Sequence, residues 1–193
     1  MSCAKGLTKP RRVLLALGLV AAFAALMPLA PLAQEDFMDV PPAPTGPPLT
    51  PLELGIKVYK SDFANCELCH GWSGGGGLPL MVDGMDMDGG PPLVGLKMTR
   101  EAMIEVIACG RLNKGVMPGY FDDAWTAKYL CGGKTAAQVP AVERPPMFDP
   151  FLYMDEIEAV VTFIETVYMG PGMNLEYCMM YFGPESRGCD RFR

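Results

Sequence analysis

Residues 66–70 read Cys66-Glu67-Leu68-Cys69-His70, and the fold of the surrounding chain is decided by this stretch. Cys-x-x-Cys-His is the pattern by which c-type haem is attached: two thiols bond to the haem vinyl groups, and the histidine becomes an iron ligand. His70 is the only histidine in the chain. Any imidazole ligand to iron must therefore come from this residue.

Two other readings of Cys66 and Cys69 have less support. A zinc site needs two more ligands at similarly close spacing, and the remaining cysteines stand alone in the sequence. A thioredoxin-like dithiol is expected near a βαβ pattern, and no such pattern surrounds Cys66. The motif therefore predicts one covalently bound haem c.

The N-terminal residues have the features of a secretory signal. Residues 1–12 contain four basic residues and no acidic one, and residues 13–27 form an unbroken apolar run. This is the charge and hydropathy pattern of a signal peptide, and we expect cleavage after Ala33 and export to the periplasm. The alternative is an uncleaved membrane anchor. A proline-rich linker over residues 34–50 leads to the folded part.

Export also explains the other cysteines. Of the seven in the chain, Cys3 lies in the signal and two attach haem, so that four remain. Four cysteines in an oxidising compartment predict two disulfides, with three possible pairings. We favour the pairing that is local in sequence, Cys109 with Cys131 and Cys178 with Cys189.

The charge of the chain restricts its partners. The net charge is −6, and removal of residues 1–33 leaves 12 basic and 22 acidic residues, a net charge of −10. An acidic protein is a poor ligand for nucleic acid or anionic lipid, and it suits a basic patch on another protein.

Helical periodicity is found in three stretches. Thr50, Pro51 and Glu53 make a capping box with proline at the first helical position. The apolar residues Leu52, Ile56, Tyr59 and Phe63 then predict one helical face that runs to Cys66.

Two more helices follow. A second helix is capped by Thr99 and ends near Gly110, and a third spans residues 154–169. Between them, residues 111–150 show little periodicity. We expect a solvated loop over residues 81–89 and a non-repetitive tail from Met173 to Arg193, which is tied down by its two cysteines.

The second iron ligand is predicted to be Met117. A haem that only carries electrons needs both axial positions filled, and with no second histidine the expected partner is methionine. Met117 lies on a turn stiffened by Pro118, between the second and third helices. The alternatives are Met98, Met147, a methionine of residues 81–89, or an open sixth position.

Over about residues 50–170 the chain resembles the class I cytochromes c. This resemblance implies an all-α fold with three main helices around one covalently bound haem. The long loops and the disulfide-tied C-terminal tail are predicted from the chain's own glycines, prolines and cysteines. The matching pieces, in order, are Gly55-Ile56-Lys57-Val58-Tyr59, the haem motif, Gly90-Pro91-Pro92-Leu93-Val94-Gly95, Met117-Pro118 and the run from Glu156 to Ile164.

The resemblance also implies two contacts. The first and last helices should cross, with Gly55 allowing close approach to an aromatic residue such as Phe163. The carbonyl of Pro91 should accept a hydrogen bond from Nδ1 of His70 and so fix the imidazole.

In function, the resemblance implies a one-electron carrier and not an enzyme. Three departures from the family pattern are the insert between Gly77 and Gly90, the excursion over residues 120–150, and the cysteine-bearing tail. These features look like the acidic cytochromes c that serve periplasmic quinoprotein alcohol dehydrogenases, such as cytochrome cL. We therefore expect electrons to come from a dehydrogenase and to pass to an oxidase or another cytochrome.

The expected organisation is a signal peptide over residues 1–33, a linker over 34–50, a cytochrome c domain over 51–172 and an extension over 173–193. One rival function is a fixed haem-relay subunit of a membrane-associated dehydrogenase or oxidase complex. Another is an enzyme or gas sensor with an open sixth iron position, although no distal histidine or evident base supports peroxide chemistry.

Overall fold

The computed structural model describes five parts of the chain, namely residues 47–77, 80–82, 85–87, 89–111 and 117–193. The predicted signal peptide and all but the last four residues of the predicted linker lie outside these parts. Within the described residues, no helix is both long and apolar enough to cross a membrane. The choice between a cleaved signal and an anchor therefore stays a prediction.

The first helix, α1, spans Pro51–Tyr59 and begins with the predicted capping box. The Glu53 carboxylate accepts a hydrogen bond from the Thr50 N–H at 2.8 Å, and Thr50 Oγ1 accepts one from the Glu53 N–H at 3.3 Å. Two N–H groups that a helix start would otherwise leave unpaired are thereby satisfied.

The end of α1 comes earlier than the sequence predicted. The Ser61 N–H and hydroxyl both donate to the Val58 carbonyl, at 3.1 and 2.6 Å, and this tightens the chain into a turn. Phe63 therefore lies beyond the helix and is 37% exposed. Its assignment to the apolar face of α1 was wrong.

The last predicted helix, α4, spans Met154–Phe163 and continues as a π-helical turn over Ile164–Tyr168. It crosses α1 at close range. A Cβ on Gly55 would overlap the Ala159 carbonyl oxygen and would lie 2.9 Å from Cβ of Phe163. The crossing implied by the resemblance is present, and it depends on the absence of a side chain at residue 55.

The helix α3 spans Arg100–Cys109, and Thr99 Oγ1 accepts a hydrogen bond from the Ala102 N–H at 3.3 Å, as expected of its cap. It packs against α4. The most deeply buried side chains of α1, α4 and the π-helical turn are Val58, Tyr59, Ile157, Val160, Val161, Phe163, Val167 and Tyr168.

Residues 120–150, the predicted excursion, are mostly irregular and fold back on the C-terminal end of α3. Trp125 is buried and donates its Nε1–H to the Cys109 carbonyl at 3.0 Å. The regular structure in this segment is two 3₁₀ turns, over Ala136–Gln138 and Ala141–Glu143.

The loop predicted over residues 81–89 is in part a hairpin. Strand β1, Leu80–Val82, pairs antiparallel with strand β2, Met85–Met87.

A fifth helix, α5, spans Leu175–Phe182 in the C-terminal tail. The side chain of Asn174 caps it by accepting a hydrogen bond from the Tyr177 N–H at 3.0 Å. A 3₁₀ segment over Arg187–Phe192 follows. The prediction of a non-repetitive tail was therefore wrong, and the asparagine cap is the signal that could have corrected it.

Both disulfides join cysteines that are close in sequence. Cys109 bonds to Cys131 and Cys178 to Cys189, with sequence separations of 22 and 11. Each closure restricts the unfolded chain by about 3 kcal/mol in the chain-entropy model. All four cysteines are buried. The first bridge fastens the irregular segment to α3, and the second joins α5 to the 3₁₀ segment that follows it within the tail.

The close approach of α1 and α4 can be tested by Gly55→Ala. The added methyl group meets the backbone of α4 and cannot be relieved by a rotamer change, so we expect a loss of about 1–3 kcal/mol or more in the free energy of unfolding. Urea unfolding followed by circular dichroism measures it. Gly188→Ala is the control, because its Cβ would meet only the Ser186 hydroxyl at 3.4 Å; equal stability of the two variants would contradict the crossing.

Candidate haem-binding site

The haem motif forms one helical turn, α2, over Cys66–His70. Asn65, which precedes it, adopts a left-handed conformation with φ of 47°, and Gly71, which follows it, has φ of 74°. Cys66 and Cys69 are the free cysteines of the described residues. The backbone thus reverses at both ends of a short turn that carries two reduced thiols and an imidazole.

Two buried tyrosines hold the chain where it leaves the motif. Tyr59, the last residue of α1, donates its hydroxyl to the Gly71 carbonyl at 2.9 Å, and Tyr168 donates to the Trp72 carbonyl at 2.7 Å. Burial raises the pKa of both tyrosines, so that both hydroxyls remain donors at neutral pH. The crossing of α1 with α4 therefore fixes the position of the motif.

The imidazole of His70 is oriented by the backbone. Its Nδ1 lies 2.9 Å from the Pro91 carbonyl oxygen, which can only accept, so the bond assigns the proton to Nδ1 and leaves the Nε2 lone pair for a metal. Burial lowers the pKa of His70, and the bond to Pro91 partly offsets this. At neutral pH the ring is in the uncharged form that binds metals.

The chain at Gly90 lies directly against this ring. The Gly90 N–H donates to the Cys69 carbonyl at 2.7 Å. A Cβ at residue 90 would lie 2.7 Å from Nδ1 of His70 and 2.9 Å from the Cys69 carbonyl oxygen. Glycine at this position is therefore what lets Pro91 reach the imidazole.

The two thiols are protonated in the folded chain. Burial raises the pKa of Cys66 to about 12 and also raises the pKa of Cys69. Thiolates are the nucleophiles in disulfide exchange, so neither cysteine is activated as a redox dithiol would be. This electrostatic environment does not fit the thioredoxin-like alternative.

Met117 lies between α3 and α4 in the chain and is half-buried against the core. Its carbonyl accepts a hydrogen bond from the Arg111 N–H at 3.1 Å. Of the alternatives, Met98 also packs against the core, and Met147 is 37% exposed and lies beside Gly119. Met117 as an iron ligand stays a prediction, and the methionine side chains of residues 81–87 lie outside the described parts.

Tyr120 connects the turn of Met117 to the haem motif. Its hydroxyl donates to the Ala64 carbonyl at 3.0 Å, two residues before Cys66. Burial raises the pKa of Tyr120, so its hydroxyl keeps the proton and acts as the donor. One buried hydrogen bond thus joins the chain near Met117, the predicted second iron ligand, to the chain just before the haem motif.

These residues together fit a c-type haem. They supply two unpaired thiols, a neutral imidazole whose Nδ1 is already bonded, and a methionine on a separate turn. Among the described residues, no group of three or more His, Cys, Asp or Glu side chains is arranged to hold a metal ion. Within those residues, the zinc alternative for Cys66 and Cys69 finds no further ligands of the kind that it requires.

One contact at the motif has no counterpart in the sequence analysis. Tyr181 of α5 donates its hydroxyl to the carboxylate of Glu67, which stands between the two cysteines. The two residues are 114 positions apart, and no local pattern links them. Only the folded tail brings them together.

Residues 51–132 match the model of a protein family described as cytochrome C oxidase, cbb3-type, subunit III. Comparison of the chain with curated proteins and with solved structures gave no significant match. The family match includes α1, the haem motif, α3 and the turn of Met117, and it ends before α4. Residues 51–132 therefore carry a cytochrome c domain, which implies covalent haem c and electron transfer.

Substitution of Gly90 by alanine tests the support of His70. The methyl group would push the imidazole from the Pro91 carbonyl, so we expect weaker iron ligation in the haem-loaded protein and a loss of about 1–3 kcal/mol in unfolding free energy. Visible spectroscopy and urea unfolding measure the two effects. Gly75→Ala, whose Cβ would lie 3.7 Å from the Ser73 hydroxyl, should leave both unchanged; a matching loss there would argue against a specific role of Gly90.

Proposed function

We propose that this chain is an exported one-electron carrier with a single haem c, attached through Cys66 and Cys69 and ligated by His70 and Met117. The observation that carries the proposal is the 2.9 Å contact between His70 Nδ1 and the Pro91 carbonyl, beside two unpaired thiols. Haem bound at such residues supplies reversible one-electron chemistry at its iron.

The residues of the chain have separate tasks in this proposal. Pro91 holds the imidazole in one tautomer and orientation, and burial keeps it uncharged. Met117 would be the second residue that holds the iron, and its thioether would favour the reduced state and leave no ligand site for oxygen. Tyr59 and Tyr168 keep the attachment turn, Cys66–His70, in place. We therefore expect little rearrangement of the protein when an electron is gained or lost.

The surface around the motif supports contact with other proteins. Leu68, between the two attachment cysteines, is 42% exposed. An apolar side chain at this point suits a small contact with a redox partner, because electron-transfer encounters are weak and brief. The net charge of −10 after loss of residues 1–33 favours a basic patch on the partner.

The proposed location is the periplasm, and the proposed donor is a dehydrogenase such as a quinoprotein alcohol dehydrogenase. The predicted signal peptide and the two disulfides of the described residues support an oxidising compartment. The likeness to cytochrome cL rests on the acidic charge and the extensions, and the proposed acceptor is a terminal oxidase or another cytochrome.

The second candidate is a fixed haem-relay subunit of a larger complex. It is favoured by the family description, which names a subunit of a cytochrome c oxidase. The two candidates differ in stoichiometry: a free carrier elutes alone from gel filtration and reduces its acceptor at a rate proportional to its concentration, whereas a subunit co-elutes with its complex.

The axial ligand provides the main test. Loss of the thioether in Met117→Ala should open the sixth iron position, so we expect stoichiometric binding of carbon monoxide by the reduced protein and a lower reduction potential. The unmodified protein should be low-spin and indifferent to carbon monoxide. Visible spectra of the oxidised and reduced forms, with and without the gas, measure this.

Met147→Ala is the matched control, because it removes the methionine that lies beside the same turn. Its spectrum should remain that of the unmodified protein. Rapid binding of carbon monoxide by the unmodified protein would reject both the assignment of Met117 and the simple carrier. Binding by the Met147 variant but not by the Met117 variant would reject only the assignment of Met117.

A further inference from the structure

The C-terminal extension reaches the haem motif through Tyr181. This residue of α5 is 1% exposed, and its hydroxyl donates to the Glu67 carboxylate. Burial, followed by the bond to Glu67, raises the pKa of Tyr181, so the hydroxyl keeps its proton and acts as the donor. The contact is thus a hydrogen bond to a carboxylate in a partly buried place, which is stronger than one between neutral groups.

Further contacts hold α5 against the same part of the chain. Lys60, just after α1, donates from Nζ to the Tyr181 carbonyl at 2.5 Å and lies 5.3 Å from the centre of its ring. Phe163 of α4 lies on the other side, with 6.2 Å between ring centres. The side chain of Tyr181 is therefore positioned by α1 and α4 as well as by its own helix.

The tail also covers the chain just past His70. Trp72 meets Phe182 edge to face with 5.0 Å between ring centres, and the guanidinium of Arg191 lies 4.5 Å above the indole. The buried Cys178–Cys189 bridge joins α5 to the 3₁₀ segment that carries Arg191. The tail thus contacts the attachment turn at Glu67 and the chain just after the turn at Trp72.

Glu67 is a charged residue within the haem motif itself. Its neighbours at positions 66 and 69 are the predicted points of attachment to the porphyrin, so its carboxylate stands in the segment that wraps the haem edge. A negative charge near iron favours the ferric state, which has one more positive charge than the ferrous state. The strength of that effect depends on where the carboxylate points and on how fully a donor balances its charge.

We propose that Tyr181 is a positioning residue for the electron-transfer site, which holds the Glu67 carboxylate beside the attachment turn and thereby contributes to the haem reduction potential. The inference rests on the proposed function, since it needs a covalently attached haem with filled axial positions. It gives the C-terminal extension, which lies outside the family match, a direct part in the redox properties of the protein.

A double-mutant cycle on the haem-loaded protein tests it. Glu67→Gln removes the charge and should raise the potential, with a shift in the redox equilibrium constant of about threefold to tenfold, tenfold being about 59 mV for one electron. Tyr181→Phe keeps the ring, leaves the carboxylate without its donor and should lower the potential. In the double variant, Tyr181→Phe should have no further effect.

Tyr177→Phe in the same helix is the control and should leave the potential unchanged. If Tyr181→Phe leaves the potential unchanged, or shifts it equally with and without Glu67, the inference is overturned and Tyr181 only stabilises the tail. If Tyr181→Phe does not yield haem-loaded protein, Glu67→Asp tests the same contact, because the shorter carboxylate cannot reach the hydroxyl; an unchanged potential there also overturns it.

The two proposals fail in different ways. Absence of covalent haem, or carbon monoxide binding by the unmodified protein, defeats the proposed function. If the haem is covalent and low-spin but its reduction potential does not change in the Tyr181 and Glu67 variants, only the positioning role is rejected. Spectroelectrochemical titration and visible spectra from the same samples separate these results.

Discussion

The close crossing of α1 and α4 at Gly55 is the constraint on which the rest of the structure depends. Because residue 55 has no side chain, the backbone of α4 can approach where a Cβ would overlap the Ala159 carbonyl. This approach brings Tyr59 and Tyr168 to the end of the haem motif, where their hydroxyls bond the Gly71 and Trp72 carbonyls. The packing of α1 against α4 thereby fixes the positions of the two thiols and the imidazole of the haem motif.

A second set of contacts surrounds the motif from the loops. The Pro91 carbonyl orients His70, and Tyr120 joins the turn of Met117 to the chain before Cys66. Irregular segments can supply such groups because the Cys109–Cys131 bridge and the buried Trp125 fasten the long excursion to α3. The loops supply the groups that orient His70 and support the motif, and the helices and the disulfide give these loops a defined position.

The tail adds a third layer that the family match does not include. Its helix α5 is short, and a helix of this length is marginal in isolation. Capping by Asn174, burial of Tyr181 and the Cys178–Cys189 bridge supply the stability that the sequence of the helix lacks. A segment held this firmly against the attachment turn is suited to influence the site.

Much of the architecture was predictable, because its signals are local. The Thr50–Glu53 capping box, the cap at Thr99 and the helical stripe after Met154 each correspond to an observed helix. The starts of all three agree with the prediction, whereas α1 ends earlier than predicted. Disulfides between near cysteines were predictable for the same reason, since short loops limit the choice of partner. The pairing of β1 with β2 was not predicted, and helix α5 was missed because its signal is a single cap.

The sequence by itself determined which chemistry to expect of this protein: the spacing of Cys66, Cys69 and His70 predicts covalent haem. Only the tertiary structure decided how that chemistry is supported. Contacts such as His70 with Pro91 and Glu67 with Tyr181 join positions 21 and 114 residues apart. Such pairs depend on how helices and loops pack, and no periodicity or local spacing encodes them.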